Sequence, residues 1–103
     1  MTTVQIVYWR DIPAQVKVKA GRERATRPLS DRFMIAIDRA AMRAGLINTD
    51  DYLSAWRNAD APERAGELQT VAEAVASEIE AAYTEKRLEQ LEQAGGVEAA
   101  SAA

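Results

Sequence analysis

An arginine–aspartate pair near the N-terminus is the first place where residue types and spacing could do chemistry. Arg10 and Asp11 are adjacent, between two apolar segments. A guanidinium grips a carboxylate or phosphate through parallel hydrogen bonds, so the pair could recognise an anion. The structural alternative is that Asp11 caps a turn and Arg10 pairs with it or with an acid of a later helix. Trp9, just before them, could be a stacking or docking residue, or a core residue.

A second group of charged side chains follows at nearly alternate positions. Lys17 and Lys19 alternate with valines, and a one-residue bulge at Gly21 would bring the next arginines onto their face. The predicted basic ridge consists of Lys17, Lys19, Arg22, Arg24 and Arg27. Such a ridge suits an anionic ligand, nucleic acid or an acidic protein surface. The acidic pI of about 5.0 and the absence of known nucleic-acid-binding motifs argue against nucleic acid.

The composition removes most of the usual catalytic chemistry. The chain has no histidine and no cysteine, so it lacks the common neutral-pH acid/base group, the thiol nucleophile and the preferred zinc ligands. Asp50 and Asp51 follow Thr49, which is typical of a helix start, and no calcium-loop spacing follows them. No glycine-rich phosphate loop or nucleophile elbow is present. We expect neither catalysis, nor a metal, nor a cofactor.

Charge is divided unevenly along the chain. Residues 1–45 contain nine Lys or Arg against four Asp or Glu, a net charge of +5, whereas residues 46–103 contain four against twelve, a net charge of −8. One interpretation is that the halves pack together and their charges partly compensate. The other is that the basic half faces an anionic partner.

Two segments have the alternation of β-strands. Val4 to Trp9 is largely apolar on both faces, and Gln15 to Ala20 places Val16, Val18 and Ala20 on one side. Pro13 favours a turn over Ile12 to Gln15, so the pattern predicts a hairpin.

Three helices are expected after the hairpin. The first follows Ser30 and ends before Gly45, the second is capped by Thr49 and ends near Trp56, and the third begins at Asp60 and extends for about 28 residues, with a projecting end. Residues 95–103 are rich in Gly, Ala and Ser, which predicts a disordered tail. The expected fold is α+β, with an N-terminal hairpin packed on about three helices in one small domain, residues 1–94.

The sequence shows no signal-peptide pattern and no apolar run long enough for a membrane helix. Together with the lack of cysteine, this predicts a cytoplasmic protein without membrane contacts.

The run from Tyr8 to Val16, which contains Trp9-Arg10-Asp11-Ile12-Pro13, resembles a small bacterial family labelled as a virulence-factor domain. Phe33 to Ala44 and Tyr52 to Trp56 extend the resemblance, which covers residues 3 to about 60. The same module is similar to a segment of the conserved virulence factor C proteins of Gram-positive bacteria. Proteobacterial members tend to be encoded beside enzymes of corrinoid and tetrahydrofolate methyl transfer. The resemblance therefore implies an accessory role in one-carbon metabolism and carries no catalytic residues.

The leading functional hypothesis is a non-catalytic accessory protein that docks on a larger protein, or on its own copy, through the hairpin. Trp9, Ile12 and strand pairing at the free edges of a two-stranded sheet would supply the affinity. Orientation and encounter rate would come from the cations of this surface: Arg10, Lys17, Lys19, Arg22 and Arg24. Asp11 and Pro13 belong to the same predicted binding surface. The alternative is a binding module for an anionic ligand or nucleic acid, using residues 17–27. A third possibility is that Arg10 or Asp11 completes the active site of a partner.

Overall fold

The computed structural model of the chain describes residues 1–98, which form one four-stranded antiparallel sheet and four helices. The strands are β1 Thr2–Trp9, β2 Ile12–Ala20, β3 Glu23–Pro28 and β4 Trp56–Arg64. The helices are α1 Asp31–Arg43, α2 Asp50–Ser54, α3 Leu68–Ala82 and α4 Glu85–Gln93. The strand order is β3-β2-β1-β4, so the first hairpin lies in the middle of the sheet. The predicted α+β class is confirmed.

The first hairpin is confirmed, but its turn is not where Pro13 suggested. Strands β1 and β2 pair with Val4 opposite Val18 and Trp9 opposite Ile12, so the turn is Arg10–Asp11. Arg10 has φ +53°, a left-handed conformation that allows so short a connection. The register shifts next to Ala14, and this irregularity accommodates Pro13 in the second position of β2.

A third strand, rather than a bulge, follows Gly21. Gly21, with φ +61°, and Arg22 form a two-residue turn. The chain then returns as β3 alongside β2, with Lys19 opposite Arg24. The predicted bulge is therefore wrong, although the lysines and Arg24 still share a face because of this cross-strand register.

The segment predicted to open the third helix is instead the edge strand β4. It pairs with β1, placing Ile6 opposite Ala59 and Trp9 opposite Trp56. Because β4 covers β1 and β3 covers β2, the first hairpin has no free edge within residues 1–98. Docking by strand pairing at that hairpin is therefore excluded in this fold.

The first two helices agree with the sequence, and the third does not. Helix α1 follows Ser30, and the side chain of Thr49 accepts a hydrogen bond from Tyr52 N at the start of α2. The long third helix is two helices, because Thr84 begins a new one by accepting a hydrogen bond from Arg87 N. Helix α4 does not project, since Leu88 and Leu91 are buried and it packs against α1.

The core lies between one face of the sheet and the helices. It contains Val4, Val16 and Val18 of the sheet together with Phe33, Ile37, Val71 and Val75 of α1 and α3. The opposite face is polar, and we call it the outer face; its residues include Thr3, Gln5, Lys17, Lys19, Arg24 and Thr26. Among residues 1–98, no helix is long and apolar enough to span a membrane.

Candidate functional site

Three residues expected at a docking surface lie in the core instead. Trp9 and Ile12 are 0% exposed, and Pro13 is also fully buried. The Trp9 indole Nε1 donates a 2.9 Å hydrogen bond to the carbonyl of Tyr52, and the two aromatic rings are 5.6 Å apart. The expectation that Trp9 and Ile12 form a docking surface is wrong for the folded chain, because no part of either side chain reaches solvent. Burial of their large apolar area stabilises the position of the adjacent turn, Arg10–Asp11, which we call the tip of the first hairpin.

Arg10 is engaged by its own chain. Its backbone N–H donates to the carbonyl of Ala55 at 3.0 Å, and its Nη1 donates to the carbonyl of Gly95 at 3.0 Å. The guanidinium carbon is 5.3 Å from the centre of the Trp9 ring, within the range of a cation–π contact. Arg10 therefore connects the tip to Ala55, at the end of α2, and to the C-terminal segment.

Asp11 makes equally specific contacts. One carboxylate oxygen accepts a 2.6 Å hydrogen bond from the backbone N–H of Glu98, and the other accepts from Arg57 Nη2 at 3.3 Å. Its own backbone N–H donates to the carbonyl of Gly96 at 2.8 Å. The side chains of Arg10 and Asp11 make no hydrogen bond to each other. Each of them instead connects the hairpin to other segments of the same chain.

The C-terminal segment that binds this tip was predicted to be disordered. Residues 95–98 are ordered against the hairpin, which corrects that prediction, and residues 99–103 lie outside the described residues. Gly96 fits because it has no side chain: a Cβ there would be 2.7 Å from Cζ3 of Trp9, at φ +91°. The closeness of the backbone to the ring is what completes the burial of Trp9.

A small recess of about 280 Å³ lies beside the tip, lined partly by Tyr8, Arg57 and Tyr83. Arg57 stacks over the Tyr8 ring at 4.5 Å, and Arg87 stacks over the Tyr83 ring at 4.0 Å. Burial is the main cause that raises the pKa of the Tyr83 hydroxyl, so this group stays neutral at physiological pH. Each cation at this recess is already engaged by an aromatic ring and an acid.

The structure brings three residues of the predicted basic ridge together. Lys17, Lys19 and Arg24 help line one open depression of about 740 Å³ on the outer face. Arg22 is exposed in the turn at the end of this face. Arg27 does not join them, because its Nε lies 2.8 Å from Glu73 Oε1 of α3, on the helical side of the sheet.

Most cations near the helices have an acidic partner. Arg27, Arg32 and Arg39 of the basic half pair with Glu73, Glu80 and Glu92 of the acidic half, so the two halves partly compensate each other. By contrast, seven cations have no ion pair within residues 1–98, and four of these gather at one end of the sheet: Lys17, Lys19, Arg22 and Arg24. We call these four residues the cationic end.

A family model described as "Virulence factor" matches residues 7–91 of the chain. This alignment covers most of the chain. The chain belongs to the virulence factor family. The match to this virulence factor domain extends well beyond residue 60, where the resemblance seen in the sequence ended, and takes in β4, α3 and most of α4. No curated protein and no solved structure matches the chain.

Sequence reasoning missed several residues of this virulence factor domain that surround its tip. Arg57, Gly95 and Gly96 contact Arg10 or Asp11 from more than 40 positions away. The adjacent glycines Gly95 and Gly96 were the sequence signal for this contact, because both adopt left-handed backbone conformations that other residues disfavour. In the part of the chain that the structure describes, no group of three or more acidic side chains is placed to hold a metal ion.

Proposed function

We propose that this virulence factor domain is a non-catalytic accessory protein that docks on an acidic surface of a larger protein through its cationic end. The observation that carries the proposal is that four of the seven cations without an ion pair among the described residues gather in one place. Lys17, Lys19, Arg22 and Arg24 have no ion pair among the described residues, while six arginines elsewhere each contact a carboxylate. A local field of this kind steers an acidic partner and orients it.

The hairpin tip is the weaker candidate for docking. Trp9 and Ile12 are buried, and the polar atoms of Arg10 and Asp11 are bonded to Gly95, Glu98 and other residues of the same chain. A partner could use this tip only by breaking those contacts. The cationic end requires no such rearrangement, because its side chains are exposed.

A protein partner suits the outer face better than nucleic acid or a small anion. None of the residues that line the depression is aromatic, so bases would find no stacking platform there. The chain as a whole has a net charge of −3, which repels a long polyanion outside the local patch. Sites for small ligands are usually enclosed and largely apolar, and this depression is open and polar.

The family resemblance suggests which partners to test first. Enzymes of corrinoid and tetrahydrofolate methyl transfer are the candidates, with this chain as an accessory subunit that contributes no catalytic group. Activity of such a complex, assayed with and without the chain, would show whether it also alters the partner's active site.

The decisive experiment is a charge reversal with a matched control. In Lys17→Glu/Lys19→Glu, two cations of the cationic end become acids. In the control Arg43→Glu/Lys86→Glu, the same change is made at two exposed cations on the helices, neither of which has an ion pair within residues 1–98. We expect the first variant to lose the partner that co-purifies from the native cell, and the control to keep it.

Salt gives a second readout. Binding through the cationic end should weaken as ionic strength rises from 50 to 300 mM, because the Debye length that screens exposed charges falls from more than about 10 Å to less than about 8 Å. Retention of every partner by Lys17→Glu/Lys19→Glu, in a protein that unfolds like the parent, would overturn the proposal. Binding of nucleic acid at moderate salt would favour the alternative instead.

A further inference from the structure

We infer that the partner supplies an extended acidic segment, which adds to the outer edge of β3 as a fifth strand. This inference rests on the docking function proposed above and specifies the partner's conformation. It follows from a comparison of the two edges of the sheet and from the charges next to each.

The β3 edge is regular and open to pairing. Its register with β2 runs without a shift from Gln15 opposite Pro28 to Ala20 opposite Glu23. Its only proline, Pro28, is the last residue of the strand. Within residues 1–98 no strand pairs with the other side of β3, so its outward N–H and C=O groups form a template for another chain.

The outer edge of β4, unlike that of β3, is protected from pairing with another strand. Pro62 lies within the strand, and the register with β1 shifts between Thr2 and Val4, so that Ala61 pairs opposite Val4 and Arg64 opposite Thr2. A proline removes a donor, and a bulge twists the edge away from flat pairing. Asp60 also lies on this strand, and its charge repels an acidic segment.

Charge selects the type of segment that β3 would accept. On the outer face, side chains of a fifth strand would lie about 5 Å from Arg24 and Thr26, with Lys17 and Lys19 one strand further away. Acidic residues at alternate positions of the segment would all face these cations, since side chains alternate along a strand.

The other positions of the segment face the helical side, beside the half-buried Ala25 and Arg27 of β3. Small or β-branched residues suit them, because they pack on a pleated surface. A second copy of this chain is a poor occupant, because antiparallel pairing of β3 with itself would place Arg24 of both chains on one face of the joined sheet, within the six-residue length of the strand, where like charges repel.

Synthetic peptides test this inference against the full-length chain. The probe is a seven-residue peptide that alternates Glu with Val or Thr. Two further peptides have the same sequence and charge, with N-methyl groups on the backbone nitrogens of either the odd or the even residues. One of these two removes the donors that would face β3, so we expect that peptide to bind at least tenfold more weakly than the probe.

Amide hydrogen exchange locates the contact. The probe should slow exchange in Glu23–Pro28 and leave residues 57–61 of β4 unchanged. Equal binding by all three peptides, without protection of β3, would overturn strand addition while leaving charge-based docking intact. Failure of the probe to bind would also overturn it, and the charge-reversal variant would then decide separately whether the docking function stands.

Discussion

The backbone N–H of Glu98 donates a 2.6 Å hydrogen bond to a carboxylate oxygen of Asp11, which joins the C-terminal segment to the tip of the first hairpin. Arg57, at the start of β4, donates to the other carboxylate oxygen at 3.3 Å. One side chain therefore connects three segments that are far apart in the sequence. The most distinctive run of the chain, Trp9 to Pro13, serves to hold these segments together.

Asp11→Asn should destabilise the fold, because the amide keeps the shape of the side chain and loses its charge. Hydrogen bonds to a charged group contribute about 1.5–3 kcal/mol when buried, and partial exposure reduces this, so we expect a loss of about 1 kcal/mol. Urea unfolding measures it. The control is Asp38→Asn, an exposed acid on α1 that should change stability by less than about 0.5 kcal/mol. Equal stability of the two variants would show that the Asp11 contacts contribute nothing.

Gly96→Ala tests how closely the C-terminal segment must approach Trp9. The new methyl group would be 2.7 Å from the indole, and the backbone has φ +91°. Gly45→Ala is the matched control, since Gly45 has φ +72° with no atom within 4 Å of the added Cβ. We expect the control to lose about 1 kcal/mol from the left-handed backbone alone, and Gly96→Ala to lose about 1–3 kcal/mol more through overpacking. Thermal unfolding compares the two, and similar losses would contradict close packing at Trp9.

Local signals in the sequence were enough for the two strands of the first hairpin and for α1, although they misplaced the turn between the strands. Alternation of Val16 and Val18 with lysines indicated β2, and the Ser30 cap and Gly45 bounded α1. Both elements follow from periodicity and capping within a few residues, which is the information that a single sequence contains.

Strand β4 could not be predicted in the same way. Asn58, Asp60 and Pro62 are depleted in strands, and an acid followed by proline is typical of a helix start. The segment is a strand because β1 offers it an edge, where a proline is tolerated at a bulge. Such tertiary context outweighs local propensity.

The candidate site could be predicted only in part, again because tertiary contacts place some of its residues. Lys17 and Lys19 were placed on one face by alternation alone, while Arg24 reaches them through pairing of β3 with β2. The burial of Trp9 depends on Tyr52 and Gly96, which are distant in sequence. No pattern near Trp9 distinguishes a core tryptophan from an exposed one.

Trp9→Ala should lower the stability of the fold, and it should affect partner binding only through that loss of stability. Removing a fully buried aromatic side chain costs about 3–5 kcal/mol, and this change also leaves the Tyr52 carbonyl without its donor. Partner binding by the variant should then fall in proportion to the folded fraction, measured by circular dichroism, and recover at lower temperature. Loss of binding by a fully folded Trp9→Ala protein would instead indicate that Trp9 contacts the partner.

Glu80→Gln should give a stability loss that depends on pH. Glu80 joins α3 to the start of α1, since its carboxylate accepts from the Ser30 N–H at 2.7 Å, the Ser30 hydroxyl at 2.8 Å and Arg32 Nη2 at 3.1 Å. Partial burial acts to raise the pKa of this carboxyl, but the hydrogen bonds from Ser30 and Arg32 outweigh it, and the pKa is lowered.

Because the pKa of Glu80 is lower in the folded chain than in the unfolded chain, the ionised carboxylate stabilises the fold at any pH above the unfolded pKa of about 4.3. This stabilisation is lost as the pH falls through the pKa of the folded chain. At pH 7 the variant should be less stable than the parent by about 1–2 kcal/mol, after allowance for partial exposure. The difference should begin to shrink as the pH falls below the unfolded pKa of about 4.3, where the unfolded chain takes up the proton before the folded chain does. Urea unfolding across pH 3–7 measures it, with Glu89→Gln on the exposed side of α4 as the control. A difference between Glu80→Gln and the parent that stays constant over this range would show that the ionised carboxylate of Glu80 does not stabilise the junction of α1 and α3.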